Sequence, residues 1–255
     1  MNIGRTANPT LNKNTFTTLS GTYSESSVMT IQGTVNKVFL MMILLFAGAG
    51  LTWSKFFKAY EIPDAINLIR PMMYGGLFGG LILAIITVFS KKWAAVTAPL
   101  YAIAEGLFLG GISAIYQVNF PGIVMQAVAL TFATLFVLLF AYKSRLIKPT
   151  ENFKLGVVAA TGGIFFVYML SFILGLFGIN FGYIHSAGPL GIIISLIIVV
   201  IAALNLVLDF DFIEQGAEQG APKYMEWYAA FGLMVTLVWL YLEILRLLAK
   251  IYSRR

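Results

Sequence analysis

Seven times along this chain an apolar run of about twenty residues recurs, the length a helix needs to cross a bilayer. The runs are Val35–Trp53, Pro71–Ser90, Ala94–Tyr116, Gly122–Tyr142, Leu155–Phe177, Leu190–Phe210 and Trp227–Ala249. As a helix, each covers roughly 30 Å, the thickness of the hydrocarbon layer. The alternating segments of a membrane β-barrel are absent. The expected fold class is therefore an all-α integral membrane protein, a seven-transmembrane-helix bundle whose short links make neighbours antiparallel. Composition agrees, because 11% of the 255 residues are charged, against roughly 25% in a soluble domain.

Two regions are expected: a flexible polar cytoplasmic tail over residues 1–30, and a seven-helix domain over residues 31–255. The tail has no basic stretch leading into a short apolar core, so it does not read as a cleavable signal peptide. Basic residues cluster in alternate links. Lys91 and Lys92 follow the second run, and Lys143, Arg145, Lys148 and Lys154 follow the fourth. The links after the third and fifth runs hold no Lys or Arg. The positive-inside rule then places the amino terminus and the sixth-to-seventh link in the cytoplasm. Lys55, Lys58, Arg70, Arg246, Lys250, Arg254 and Arg255 fall on the opposite side and oppose that rule.

The charge pattern also excludes functions. The net charge of +6 lies between apolar runs, where it signals topology rather than a nucleic-acid surface. No cysteine is present and His185 is the lone histidine, which rules out thiolate and multi-histidine zinc sites. Metalloprotease, nucleophile-elbow and phosphate-loop motifs are missing. His185 beside Ser186 has no acid nearby, so the expectation is that the chain is not an enzyme and uses no cofactor.

Small residues spaced four apart suggest close helix packing. The pairs are Gly75 and Gly79, Gly76 and Gly80, and Gly106 and Gly110.

The acids carry the functional signal. Carboxylates at membrane depth are costly and tend to line a bundle interior or a wet cavity. The sixth run ends in NLVLDFDFIEQ. Asp209 and Asp211 are two apart and point to different sides of a helix. Asp209 lies deeper and is the better interior acid; Asp211 reads as a surface residue, a helix-end residue or part of an ion pathway. Glu105 sits mid-span in PLYAIAEGLFLGGIS, either as a buried acid bonding a neighbouring helix or as a pathway group. Glu226 opens the seventh run, where a carboxylate suits the positive end of the helix dipole. Glu243 lies deep in LVWLYLEILRLL with Arg246 three residues on, a local pair or an inward-turned acid. Two acids in one low-dielectric site must share a proton and so respond to pH. Carboxylates with backbone carbonyls in such a site also suit a hard cation such as calcium.

Three segments resemble the Bax inhibitor family, also called the transmembrane Bax inhibitor motif family, on its YccA-like bacterial branch. They are AEGLFLGGISAIY, NLVLDFDFIEQG and WLYLEILRLLAKI. The resemblance implies a bundle with the last helix central. It also implies a pH-sensitive calcium leak of the bacterial inner membrane, gated by acids of the last two helices. Asp209 matches the first acid. Glu243 matches the second, with Glu for the usual Asp, and Glu226 is the geometric substitute. Arg70 and Arg246 stand as possible basic partners. Calcium is then cargo, and Asp209 and Glu243 are the oxygen ligands the resemblance implies for it. The partners implied are the lipid bilayer and a membrane-bound protease that bacterial relatives modulate, with the chain a monomer or weak oligomer. Under that alternative the chain regulates without transporting, through helix packing and its tail.

Overall fold

The computed structural model describes residues 28–60, 65–178 and 186–254. Among them are seven helices long and apolar enough to cross a membrane. They are α1 (Ile31–Lys58), α2 (Ala65–Phe89), α3 (Ala94–Asn119), α4 (Ile123–Lys143), α5 (Glu151–Leu176), α6 (Pro189–Glu218) and α7 (Met225–Tyr252). A single 3₁₀ turn, Lys91–Trp93, joins α2 to α3. The described residues hold no strand, only a bridge between Val28 and Pro222. The expected all-α architecture of seven membrane-length helices is what the chain adopts. The tail up to residue 27 and His185 lie outside the described residues.

Most of the helices outrun their apolar cores, because polar residues continue the backbone hydrogen bonds beyond the hydrocarbon. Thr30 ends the extended entry to α1, and its Oγ1 accepts from the Gly33 amide at 2.9 Å. Thr150 caps α5 in the same way. Such caps satisfy amides that have no partner within the helix. α2 begins at Ala65 and passes through Pro71, which the hydropathy reading had placed at the start of the span. α6 runs to Glu218, two turns past the end of its apolar run. Asp211 and Glu214 therefore stand on the same helix as Asp209 rather than after it. The last helix is the most covered of the seven, with 67% of its apolar window buried. At 28 residues it rises about 42 Å, enough to cross fully.

The chain forms two compact units. One comprises Gly122–Asp211 and Val235–Arg255, which contain α4, α5, most of α6 and the second half of α7. Polar links join its helices. Asn205 Nδ2 on α6 donates to Thr161 Oγ1 on α5 at 2.8 Å. Gln126 on α4 donates to the Tyr252 hydroxyl on α7 at 2.8 Å. Tyr142 and Phe210 pack ring to ring at 5.8 Å. Interhelical hydrogen bonds matter here because lipid tails are as apolar as leucine, so apolar burial alone gives helices little reason to associate.

The other unit comprises the described residues up to Pro121 and Phe212–Met234. In it α3 packs against both α1 and α2. Glycines set these approaches. A Cβ at Gly106 or Gly110 would run into the α1 backbone at Leu45 and Ala49, and one at Gly76 into the α3 backbone at Ala104. Gly48 on α1 meets α3 in the same way. A Cβ added at Gly75 or Gly79 would meet open space. Of the two interleaved glycine rows expected to pack on α2, only Gly76 and Gly80 do, because adjacent positions on a helix point about 100° apart. Gly110→Ala should accordingly cost about 2 kcal/mol by overpacking. Gly79→Ala should be neutral or slightly stabilising through helix propensity. Thermal unfolding in detergent compares the two.

Candidate functional site

Four acids are withdrawn from solvent: Asp209 (1% exposed), Glu226 (0%), Glu243 (2%) and Glu105 (9%). Their surroundings differ, and the differences define what each can do.

Glu243 on α7 sits in a cluster within the first unit. Arg246 Nη1 donates to both its oxygens, at 2.9 and 3.0 Å. The Tyr168 hydroxyl on α5 donates to the same oxygens at 3.1 and 3.2 Å. Trp239 Nε1 donates to Oε1 at 3.2 Å. Arg246 also donates to the Tyr168 hydroxyl at 2.7 Å and lies over its ring at 5.3 Å. The i,i+3 spacing brings Arg246 to Glu243, and α5 adds the donors that a buried carboxylate requires. Arg246 is thus the basic partner, as its spacing suggested.

Asp209 and Asp211 stand elsewhere in that unit. Lys154, buried in the first turn of α5, pairs with Asp211 at 2.5 Å and with Glu151 at 3.9 Å. Asp211 is therefore an ion-paired residue in mid-helix rather than a wet helix end. Tyr168, which holds Glu243, is 14 residues beyond Lys154, which holds Asp211. Along α5 that is about 21 Å. Asp209, two residues from Asp211, sits at Lys154's end of the helix. The expected pairing of Asp209 with Glu243 is corrected by this depth difference, and Glu243's own oxygens are taken by Arg246, Tyr168 and Trp239. Among the described residues no three acids or histidines converge as a metal site.

Glu226 belongs to the second unit and does more than suit its own helix dipole. Its Oε1 accepts from the Thr30 amide and the Thr30 hydroxyl, both at 3.0 Å. Lys37 on α1 pairs with Oε2, and Lys223 pairs with Oε1 at 3.0 Å. Next to it, the Met29 amide donates to the Ala221 carbonyl at 2.6 Å. Lys37 also lies over the Trp227 ring at 5.4 Å. The entry of α1 is fastened to the start of α7 and to the link before it. With its oxygens so engaged, Glu226 fastens the entry of α1 to the start of α7.

Arg70 is exposed near the start of α2. Glu105 meets α2 at Gly80, ten residues or about 15 Å further along that helix, so Arg70 stands well away from Glu105.

The sequence reading missed three lysines. Sequence marks Lys154 and Lys250 only as topology charges, and Lys37 lies inside the first apolar run. Lys250 is buried and donates to Ser195 Oγ at 2.7 Å and to the Gly191 carbonyl at 3.1 Å. A charged residue inside or at the lip of an apolar run was the available signal. Lys154→Met should leave Asp211 without its buried counter-ion and lower stability by about 2 kcal/mol. The double variant with Asp211→Asn should recover most of that loss in the same unfolding assay.

No curated protein matches the chain. Residues 8–253 match the family described as Bax inhibitor 1 like. The match covers nearly the whole chain, so the protein belongs to the Bax inhibitor 1 like family of integral membrane proteins.

Proposed function

We propose that the protein is a pH-sensitive calcium leak of a bacterial inner membrane, with Asp209 as the acid whose proton sets the gate. One observation supports this most: Asp209 is 1% exposed yet lies two residues from Asp211, the carboxylate that Lys154 pairs with across to α5. Gain or loss of a proton at Asp209 changes the charge balance beside the contact that holds α5 to α6. A closed state keeps that contact, and an open one releases it. Calcium is the cargo and meets carboxylate and carbonyl oxygens in passing. In vesicles holding the purified chain and a calcium dye, influx should follow pH and should exceed that of empty vesicles. Equal dye signals at every pH would remove the leak.

The second reading is a non-transporting regulator of a membrane-bound protease. It is favoured by the fastening of Met29 and Thr30 to Ala221 and Glu226, which gives the preceding tail a mechanical route to α7. Deleting residues 1–27 should then abolish the effect on the protease, while Asp209→Asn leaves it intact. The opposite result selects the leak.

A further inference from the structure

Glu105 is the buried acid that neither reading uses. It stands near the middle of the 26-residue α3, so lipid surrounds the bundle at its depth. Its Oε2 lies over Gly80 of α2, where an added Cβ would come within 2.9 Å. The missing side chain at Gly80 is the space the carboxyl occupies. Around it α2 presents Gly76 and Gly80, and α1 meets α3 through Leu45 and Ala49; none of these is charged. Tyr101, one turn earlier on α3 and packed on Phe231 at 5.0 Å, is its titratable neighbour. Among the described residues no ion pair or hydrogen bond engages the Glu105 carboxyl. A bare carboxylate in such a place costs several kcal/mol. Something must neutralise it, and among the described residues no cluster of three or more acids or histidines is at hand for a metal ion.

We propose that Glu105 and the Gly80 notch form a proton-binding site inside the membrane. The ligand is the proton itself, taken up and released by one carboxyl at mid-depth. The site stands whether or not the chain conducts calcium.

A hydrophobic carbodiimide tests this directly. The carboxylic O–H adds across one C=N bond: the carboxyl oxygen bonds to the central carbon and the proton goes to nitrogen. The adduct then shifts its acyl group from oxygen to nitrogen, and nothing is released. The peptide holding Glu105 therefore gains the mass of one reagent molecule. The full chain in vesicles is treated with dicyclohexylcarbodiimide, or with a water-soluble carbodiimide, and mapped by mass spectrometry. The expected result is labelling at Glu105 by the hydrophobic reagent alone, falling about tenfold per pH unit once the group ionises. Glu151, whose side chain is 61% exposed, should react with the soluble reagent. Glu105→Gln, which keeps the shape, should remove the mass from that peptide only. Two outcomes overturn the proposal: no adduct at Glu105 at acid pH while the reagent labels other carboxyls, or equal labelling by both reagents, which would put the group in water.

Discussion

Arg246→Leu should destabilise the protein by about 3 kcal/mol, the lower end of the cost of breaking a buried ion pair. The substitution leaves the Glu243 carboxylate, 2% exposed, hydrogen-bonded among the described residues by the neutral donors Tyr168 and Trp239. Arg246 is itself 34% exposed, so its own rehydration returns part of the loss and sets the estimate at the lower end. The second substitution Glu243→Gln should recover most of it, because an amide needs no counter-charge. A double-mutant cycle on thermal unfolding in detergent reads the coupling. A single variant that melts with the parent chain would mean that Glu243 draws no support from Arg246.

Glu226→Ala should free the entry of α1. Two lysines, one amide and one hydroxyl lose their acceptor at once, and each lost charged hydrogen bond is worth about 1.5–3 kcal/mol. Local opening there should rise at least tenfold, which needs only about 1.4 kcal/mol. The absence of cysteine in the chain makes the test clean. With cysteines at Val28 and Pro222, the residues of the bridge, oxidation should link the parent chain quickly. The Glu226→Ala version should link much more slowly. Equal rates would show that the bridge holds without the carboxylate.

The spans were legible because hydropathy over twenty residues reports the solvent around a helix, whatever its neighbours. The acids were legible for the same reason, as charges out of place in apolar runs. Their partners were not. Thr30 and Glu226 are 196 residues apart and Lys37 and Glu226 are 189 apart, and no local spacing encodes a contact of that range. The Glu243–Arg246 pair was readable from its i,i+3 spacing, while Tyr168, which completes it from α5, was not. Glycine rows show the same divide. Sequence marks Gly75 and Gly79 as small, and only the packing of α2 on α3 shows that they leave room for a side chain.

Calcium entry into vesicles, measured across the same pH series for the parent chain and for Asp209→Asn, puts the gate to its most direct test. The substitution removes a proton-binding group and keeps its size. The account predicts that the parent chain's flux rises and falls with pH while the variant's flux is flat. A variant whose flux follows pH as the parent's does would show that the switch lies elsewhere.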